Sequence, residues 1–153
     1  MSDDQKTLAK LIDGFRFAML TSVQADGSLV AHPLTVQESE FDGDLWFIVA
    51  KDSPVASHLH INSQAGVSLS SKDTWVSLTG TATLVDDDAK LKELWTSSTE
   101  AWFPGGPEDP NITLLKFNAE GAEYWTSEGS SIVRAAKLLA GTRPDGTNEK
   151  VEL

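Results

Sequence analysis

Thr74-Trp75-Val76-Ser77-Leu78-Thr79-Gly80-Thr81-Ala82-Thr83-Leu84-Val85 alternates without a break. Val76, Leu78, Gly80, Ala82 and Leu84 fall on one side, and Trp75, Ser77, Thr79, Thr81 and Thr83 on the other, which is the period-two pattern of a half-buried strand. One face is apolar, and the other carries hydroxyls and an indole. Residues 65 to 71 read as the preceding strand. Downstream, Asp86-Asp87-Asp88 opens an amphipathic helix through Leu91, Leu94 and Trp95. In Ala101-Trp102-Phe103-Pro104-Gly105-Gly106-Pro107, with Asp109-Pro110, two aromatics abut residues that break regular structure, so a shaped loop is expected, neither helix nor strand interior.

Residues 112 to 117 and 121 to 126 predict a last pair of strands. Beyond Ser127 the chain turns to Ser, Gly, Thr and charge, although Ile132 to Leu139 could form a short helix. The domain is expected over residues 1–140, with 141–153 a flexible tail. On the N-terminal side, Leu8, Leu11 and Ile12 stand at helical spacing after Ser2, Asp3 and Asp4, and Gly14 stops that helix. Period two then sets in, with Phe15, Phe17 and Met19 on one face, and Asp26-Gly27 turns the chain into a returning strand over 28 to 37. Pro33 cannot donate to a ladder and marks an edge or a bulge. Asp42-Gly43-Asp44 launches Leu45-Trp46-Phe47-Ile48-Val49-Ala50, an apolar run that reads as a central strand covered on both faces. Ser53-Pro54 reads as an N-cap and first helical residue. Six or seven strands joined mostly by tight turns, with two or three inserted helices, make a mainly β fold, an antiparallel barrel with helical decoration.

A length of 153 residues suits one domain, and no second is expected. The net charge of −11 repels polyanions, which excludes nucleic acid as a partner. No run approaches the roughly 20 apolar residues of a membrane span. Cysteine is absent, so disulfides, thiolate chemistry and cysteine–metal sites are excluded, and a cytoplasmic location is expected. The N-terminus, Met1 to Lys6, has neither a basic cluster nor an apolar signal core.

Phosphate-binding glycine loops, H-E-x-x-H and a serine nucleophile elbow are missing. His58 and His60, two apart on the expected helix, point to different sides, so the pair is not read as a metal site. Ser22 and Ser77 have no identifiable base beside them in sequence. Lys51-Asp52-Ser53-Pro54 joins the apolar strand to a helix N-terminus, where free N–H groups, Ser53 and Lys51 suit a phosphate. A plain N-cap is the other reading of the same residues, and Asp52 opposes an anion unless it turns away.

Taken in order, Met19-Leu20-Thr21, Asp26-Gly27, His32-Pro33-Leu34, Asp42-Gly43-Asp44-Leu45-Trp46-Phe47, Asp52-Ser53-Pro54, Val76-Ser77-Leu78-Thr79-Gly80-Thr81-Ala82, the aromatic loop with Asp109-Pro110, Leu114-Leu115 and Ala122-Glu123-Tyr124-Trp125 resemble the general stress protein 26 family. That family is a branch of the pyridoxamine 5′-phosphate oxidase-like, FMN-binding split β-barrel proteins. The resemblance covers about residues 4 to 127 and implies a homodimer with two FMN sites at its interface. It implies that His32, Pro33 and Leu34, and Trp46, Phe47, Ile48, Val49 and Ala50, lie along the flavin. It places Lys51 and Ser53 at the phosphate, and brings Trp75, Ser77, Trp102 and Trp125 in from strands and loops of the partner.

Two positions depart from the family pattern, which commonly has arginine at His32 and lysine at Val55. Each lost charge-assisted contact is worth roughly 1.5 to 3 kcal/mol where well formed. The implied function is a flavin-dependent oxidoreductase acting on a small-molecule redox substrate that the sequence does not name. The alternatives are a reductase using FAD or a deazaflavin, and a non-catalytic dimer with a degenerate pocket. No residue reads as a general acid or base, so catalytic positions stay unassigned. Trp46 and Trp95 also suit simple packing, whereas Trp102 and Trp125 are better site candidates. The chain has no basic cluster for a second phosphorylated ligand, which argues against oxidation of pyridoxamine phosphate itself.

Overall fold

In the computed structural model, which describes residues 2–126 and 148–153, the chain starts on a capping box. Ser2 Oγ accepts the Gln5 N–H and Gln5 Oε1 accepts the Ser2 N–H, which opens α1 (Asp3–Asp13) and seats Leu8 and Ile12 in the core. Strands β1 (Phe17–Val23) and β2 (Leu29–Thr35) form the expected hairpin. Gly27 takes φ +87° in its turn, and Asp26 Oδ1 accepts both the Ser28 hydroxyl at 2.6 Å and the Ser28 N–H at 3.0 Å. Next come β3 (Asp44–Ala50), α2 (Pro54–Ile61), β4 (Gln64–Ser70) and β5 (Thr74–Val85). They are followed by α3 (Asp88–Leu94), α4 (Ser97–Trp102), β6 (Ile112–Thr126) and β7 (Asn148–Glu152).

Every pairing is antiparallel, in the order β2-β1-β4-β5-β6-β3, with β7 also on β6. β3 lies along residues 112–118 of β6 and β7 along 121–125. The sheet curls towards closure, and the Gln37 N–H donates to the Trp46 carbonyl at 3.1 Å between the chain after β2 and β3. No ladder joins β2 to β3 among the described residues, so the barrel is split.

The main core gathers the inward residues of nearly every strand, such as Leu20, Phe47, Val67, Leu78 and Phe117, under α1 and α2. A second cluster of Ile48, Leu91, Leu94, Ile112 and Leu114 forms where α3 packs outside the β3–β6 ladder. Burying a leucine or phenylalanine side chain contributes about 1.5–3 kcal/mol, so the main core dominates the stability. A register shift between Thr79 and Gly80 sets Gly80 opposite Ala119 and Thr79 opposite Gly121, leaving Glu120 as an extra residue. A Cβ on Gly80 would collide with the Asn118 carbonyl oxygen, which is why glycine stands there.

Five expectations change. Ala101 and Trp102 are the last turn of α4, because a Thr96–Thr99 capping box starts a helix before the Pro-Gly stretch acts, and the loop begins at Phe103. The apolar run 45–50 is not central, since β3 ends the sheet path and its ladder partner is β6. It is nonetheless covered on both faces, by the main core at Phe47 and Val49 and by the second cluster at Ile48. Residues 112–126 form one long bulged strand in place of two. In the expected tail, Asn148–Glu152 pairs with β6 and Val151 is buried in the core. The fifth concerns Ser22 and is taken up below. The helix expected over 132–139 lies outside the described residues. None of the described helices is long and apolar enough to cross a membrane.

Candidate functional site

Alternation along each strand sends successive side chains to opposite faces, and the registers tell which residues share a face. Pro33 lies opposite Met19, Met19 opposite Ser68, Ser68 opposite Ser77 and Ser77 opposite Glu123. Trp75 lies opposite Trp125 one step along the same face. This outer face is the open side of the sheet, with Phe17 59%, Met19 41%, Leu29 69% and Trp75 38% exposed. Four of the expected site residues, Pro33, Trp75, Ser77 and Trp125, therefore stand together on one apolar and hydroxyl-bearing surface. Phe17 and Met19 point outward here, while Ala18, Leu20 and Ser22 alternate into the interior.

Behind that face, His32 is opposite Leu20 and points under α2. There the fully buried Ser22 Oγ stands 2.9 Å from His58 Nδ1 and 3.4 Å from His32 Nε2, with the two rings 5.6 Å apart between centroids. Ser22 thus does have imidazoles beside it, contrary to the sequence reading. It is joined to His58 across 36 positions by the docking of α2 on β1, which local sequence cannot show. Burial, together with the charge of His58, lowers the His32 pKa below its ordinary 6.5. His60, on the other side of α2, is exposed, as the two-residue spacing predicts. Leu34 packs against the main core, and the side chains of Phe47, Val49 and Val55 lie within it.

At the turn from β3 to α2, Ser53 Oγ donates to the Ala50 carbonyl at 2.7 Å and accepts the Ala56 N–H at 3.4 Å, so the expected N-cap is formed. Lys51 Nζ sits 3.4 Å from Asp86 Oδ1, and Asp52 is turned away to accept from Asn111 Nδ2 at 3.1 Å. The remaining aromatics gather by α3 and α4. Lys90 and Lys116 lie 5.3 and 5.6 Å from the Trp46 ring, Trp95 meets Phe103 in the second cluster, and Trp102 is 75% exposed at the end of α4.

A flavin fits this donor set unevenly. The indoles of Trp75 and Trp125 offer flat apolar surface, and the hydroxyls beside them suit a polyol chain. For a phosphate, Lys51 is the one permanent cation among the expected residues, and it is already paired with Asp86. His32 points to the other face and Val55 is in the core. A separate cavity of about 460 Å³ between the end of α1 and the chain after β2, floored by Ile12, Phe15, Val36 and Leu45, contains none of the expected site residues.

The same architecture occurs in known proteins. A general stress protein 26 from Jannaschia sp. CCS1 superposes with a TM-score of 0.78 at 28% identity over 100% of both chains. A general stress FMN/FAD binding protein from Xanthomonas citri superposes with a TM-score of 0.70 at 31% identity, over 82% of this chain and 90% of that one. The general stress protein 26 of Bacillus anthracis, at 19% identity and a TM-score of 0.74, shares the fold. In sequence, Protein bli-3 of Neurospora crassa is 26% identical over 90% of this chain and 73% of its own. With its split antiparallel barrel, and with residues 3–147 matching the model described as pyridoxamine 5′-phosphate oxidase like, the chain belongs to the pyridoxamine 5′-phosphate oxidase-like family.

Proposed function

We propose that this protein binds a flavin, FMN before others, as a homodimer of split barrels, and acts as a cytoplasmic flavin-dependent oxidoreductase on a small-molecule substrate. The observation that carries the reading is the open face on which Trp75 and Trp125 stand opposite each other beside Ser77, on the same side of the sheet as exposed Phe17, Met19 and Leu29 of β1 and β2. A face of this apolarity is stabilised by being covered, and a two-fold copy of the same face is self-complementary. The likeness to a protein described as FMN/FAD binding supports the choice of ligand.

Bound there, a flavin would supply hydride or single-electron transfer. This chain's residues hold and shield it. Trp75 and Trp125 provide aromatic surface, and the Ser77 hydroxyl is placed to hydrogen-bond polar atoms along the same face. Lys51, Ser53 and the first turn of α2 lie at the far end of β5 from Trp75, so in the dimer they would meet the phosphate of a flavin held against the partner's Trp75 and the partner's Trp125. Lys51 would exchange Asp86 for that anion, and since an exposed ion pair is worth about 0–1 kcal/mol, the exchange costs little. Trp102, exposed at the end of α4, is free to close over the partner's site. His32, Leu34, Phe47, Val49 and Val55 support the surface from behind, while Ile48 lies on the other face of β3 under α3.

The Lys51–Asp86 pair and the buried Val55 favour, as a second reading, a chain that prefers FAD or a deazaflavin, or that keeps the dimer without the chemistry. Visible spectra taken after incubation with FMN and desalting, alongside light scattering, test the proposal. A retained flavin band on a dimer is expected. A band retained only with FAD or a deazaflavin selects the altered cofactor, and a colourless dimer in all three selects the non-catalytic reading. A colourless monomer overturns both readings.

A further inference from the structure

The chain's three histidines all fall in β2 and α2, and two of them meet across Ser22. The elements around them carry no other titratable side chain. β1, β2, β4, β5 and α2 contain not one Asp, Glu, Lys or Arg, in a chain with 35 such residues. The nearest charges in sequence lie outside these elements, and of them Arg16, six residues before Ser22, and Glu38, six after His32, are exposed. Asp26 is held by Ser28, Lys51 by Asp86 and Asp52 by Asn111. His60 is exposed on the other side of α2. A proton taken up by the pair therefore meets no carboxylate in the elements packed against it.

Ser22 has one proton to donate and two lone pairs. With both rings neutral, one ring N–H donates to Oγ and Oγ–H donates to the bare nitrogen of the other ring. A first added proton leaves this chain intact, because the charged ring still donates and the neutral ring still accepts. A second breaks it. Both facing nitrogens then carry hydrogen, the buried Oγ–H loses its acceptor, and two cations stand 5.6 Å apart.

We propose that His32, Ser22 and His58 form a pH-operated latch, which holds α2 against the β1–β2 hairpin while at least one ring is neutral and releases it on the second protonation. The lowered pKa of His32 places that release on the acid side of 6.5. Release of α2 also loosens the β3–α2 turn, because Ser53 caps the helix and bonds to Ala50 at once. In the flavin reading this would weaken ligand binding in acid, a consequence that rests on that reading. The latch itself does not.

Amide hydrogen exchange across α2 tests the latch in the unliganded protein. Between about pH 8 and pH 5, protection of the α2 amides, corrected for intrinsic rates, should fall about tenfold or more while β4 and β5 keep theirs. His32→Gln and His58→Gln, which leave a single titrating ring, should each flatten the dependence, and His60→Gln should not. Imidazole NMR signals of the wild-type protein should show His32 and His58 titrating as a coupled pair. A flat wild-type exchange profile overturns the proposal. So does independent titration of the two rings, or a pH dependence that survives in His32→Gln. The wild-type readings decide even if a variant fails to fold.

Discussion

Trp75 and Trp125 are direct partners in the β5–β6 ladder, side by side on the outward face of the sheet. Trp75 is exposed and Trp125 half-buried, so neither indole is spent on the core. Changing either to alanine should lower flavin affinity at least tenfold while shifting the urea midpoint little. Phe47→Ala, from the centre of the core, should instead cost about 3–5 kcal/mol of stability. A flavin titration beside an unfolding curve for each variant separates the two effects. Equal stability losses for Trp75→Ala and Phe47→Ala would show that the indole is packing.

Asp86 competes with any phosphate for the Lys51 ammonium group, which it meets at 3.4 Å. Asp86→Asn keeps an acceptor for the Thr113 hydroxyl, which also bonds the Val85 carbonyl, so stability should change by less than about 1 kcal/mol. FMN should then bind several-fold tighter, with riboflavin unchanged, because only the former carries the phosphate. Isothermal titration with both ligands checks this. An equal gain for both would place Lys51 away from the phosphate.

Two groups set the pH dependence of stability in different windows. His32 has a folded pKa below 6.5, so the unfolded chain binds more protons in that range. Its contribution is complete above 6.5 and lost as the pH falls through the folded value. The Asp26 carboxyl is held below 3.8 by the Ser28 hydroxyl first and its N–H second, so its contribution is present above 3.8 and lost below. Urea midpoints measured from neutral to acid should fall in two steps. His32→Gln should remove the upper step and Ser28→Ala should weaken the lower one.

Gly80 sits where a Cβ would meet the backbone of Asn118, which has no flexible side-chain end to move aside. Gly80→Ala should cost more than about 2 kcal/mol by forcing the bulge open. Gly66→Ala, whose Cβ would find the Leu78 carbonyl at an ordinary 3.5 Å, should cost less. Chemical denaturation of the two variants gives the comparison, and an equal cost would mean that the bulge is soft.

Much of what neighbouring residues specify is legible in the chain. Asp26-Gly27 makes its turn, Ser53-Pro54 starts its helix, and the alternation from Thr74 to Val85 is a strand with the stated faces. Ala101 and Trp102 read as loop because Pro104 and the glycines dominate that stretch, yet the equally local capping box at Thr96 acts first. The apolar run of β3 reads as a central strand, since continuous burial has the same signature whether it comes from flanking strands or from helices laid over an edge.

Turns, caps and period-two faces depend on residues a few positions apart, so the local units, the antiparallel class and the family resemblance are legible in the chain alone. Which face of the sheet stays open, the closing of the core by Val151 beside β6, and the meeting of Ser22 with His32 and His58 emerge only when the segments pack together. Those outcomes depend on register and helix docking between segments tens of residues apart, and they are chosen by the burial of the whole core.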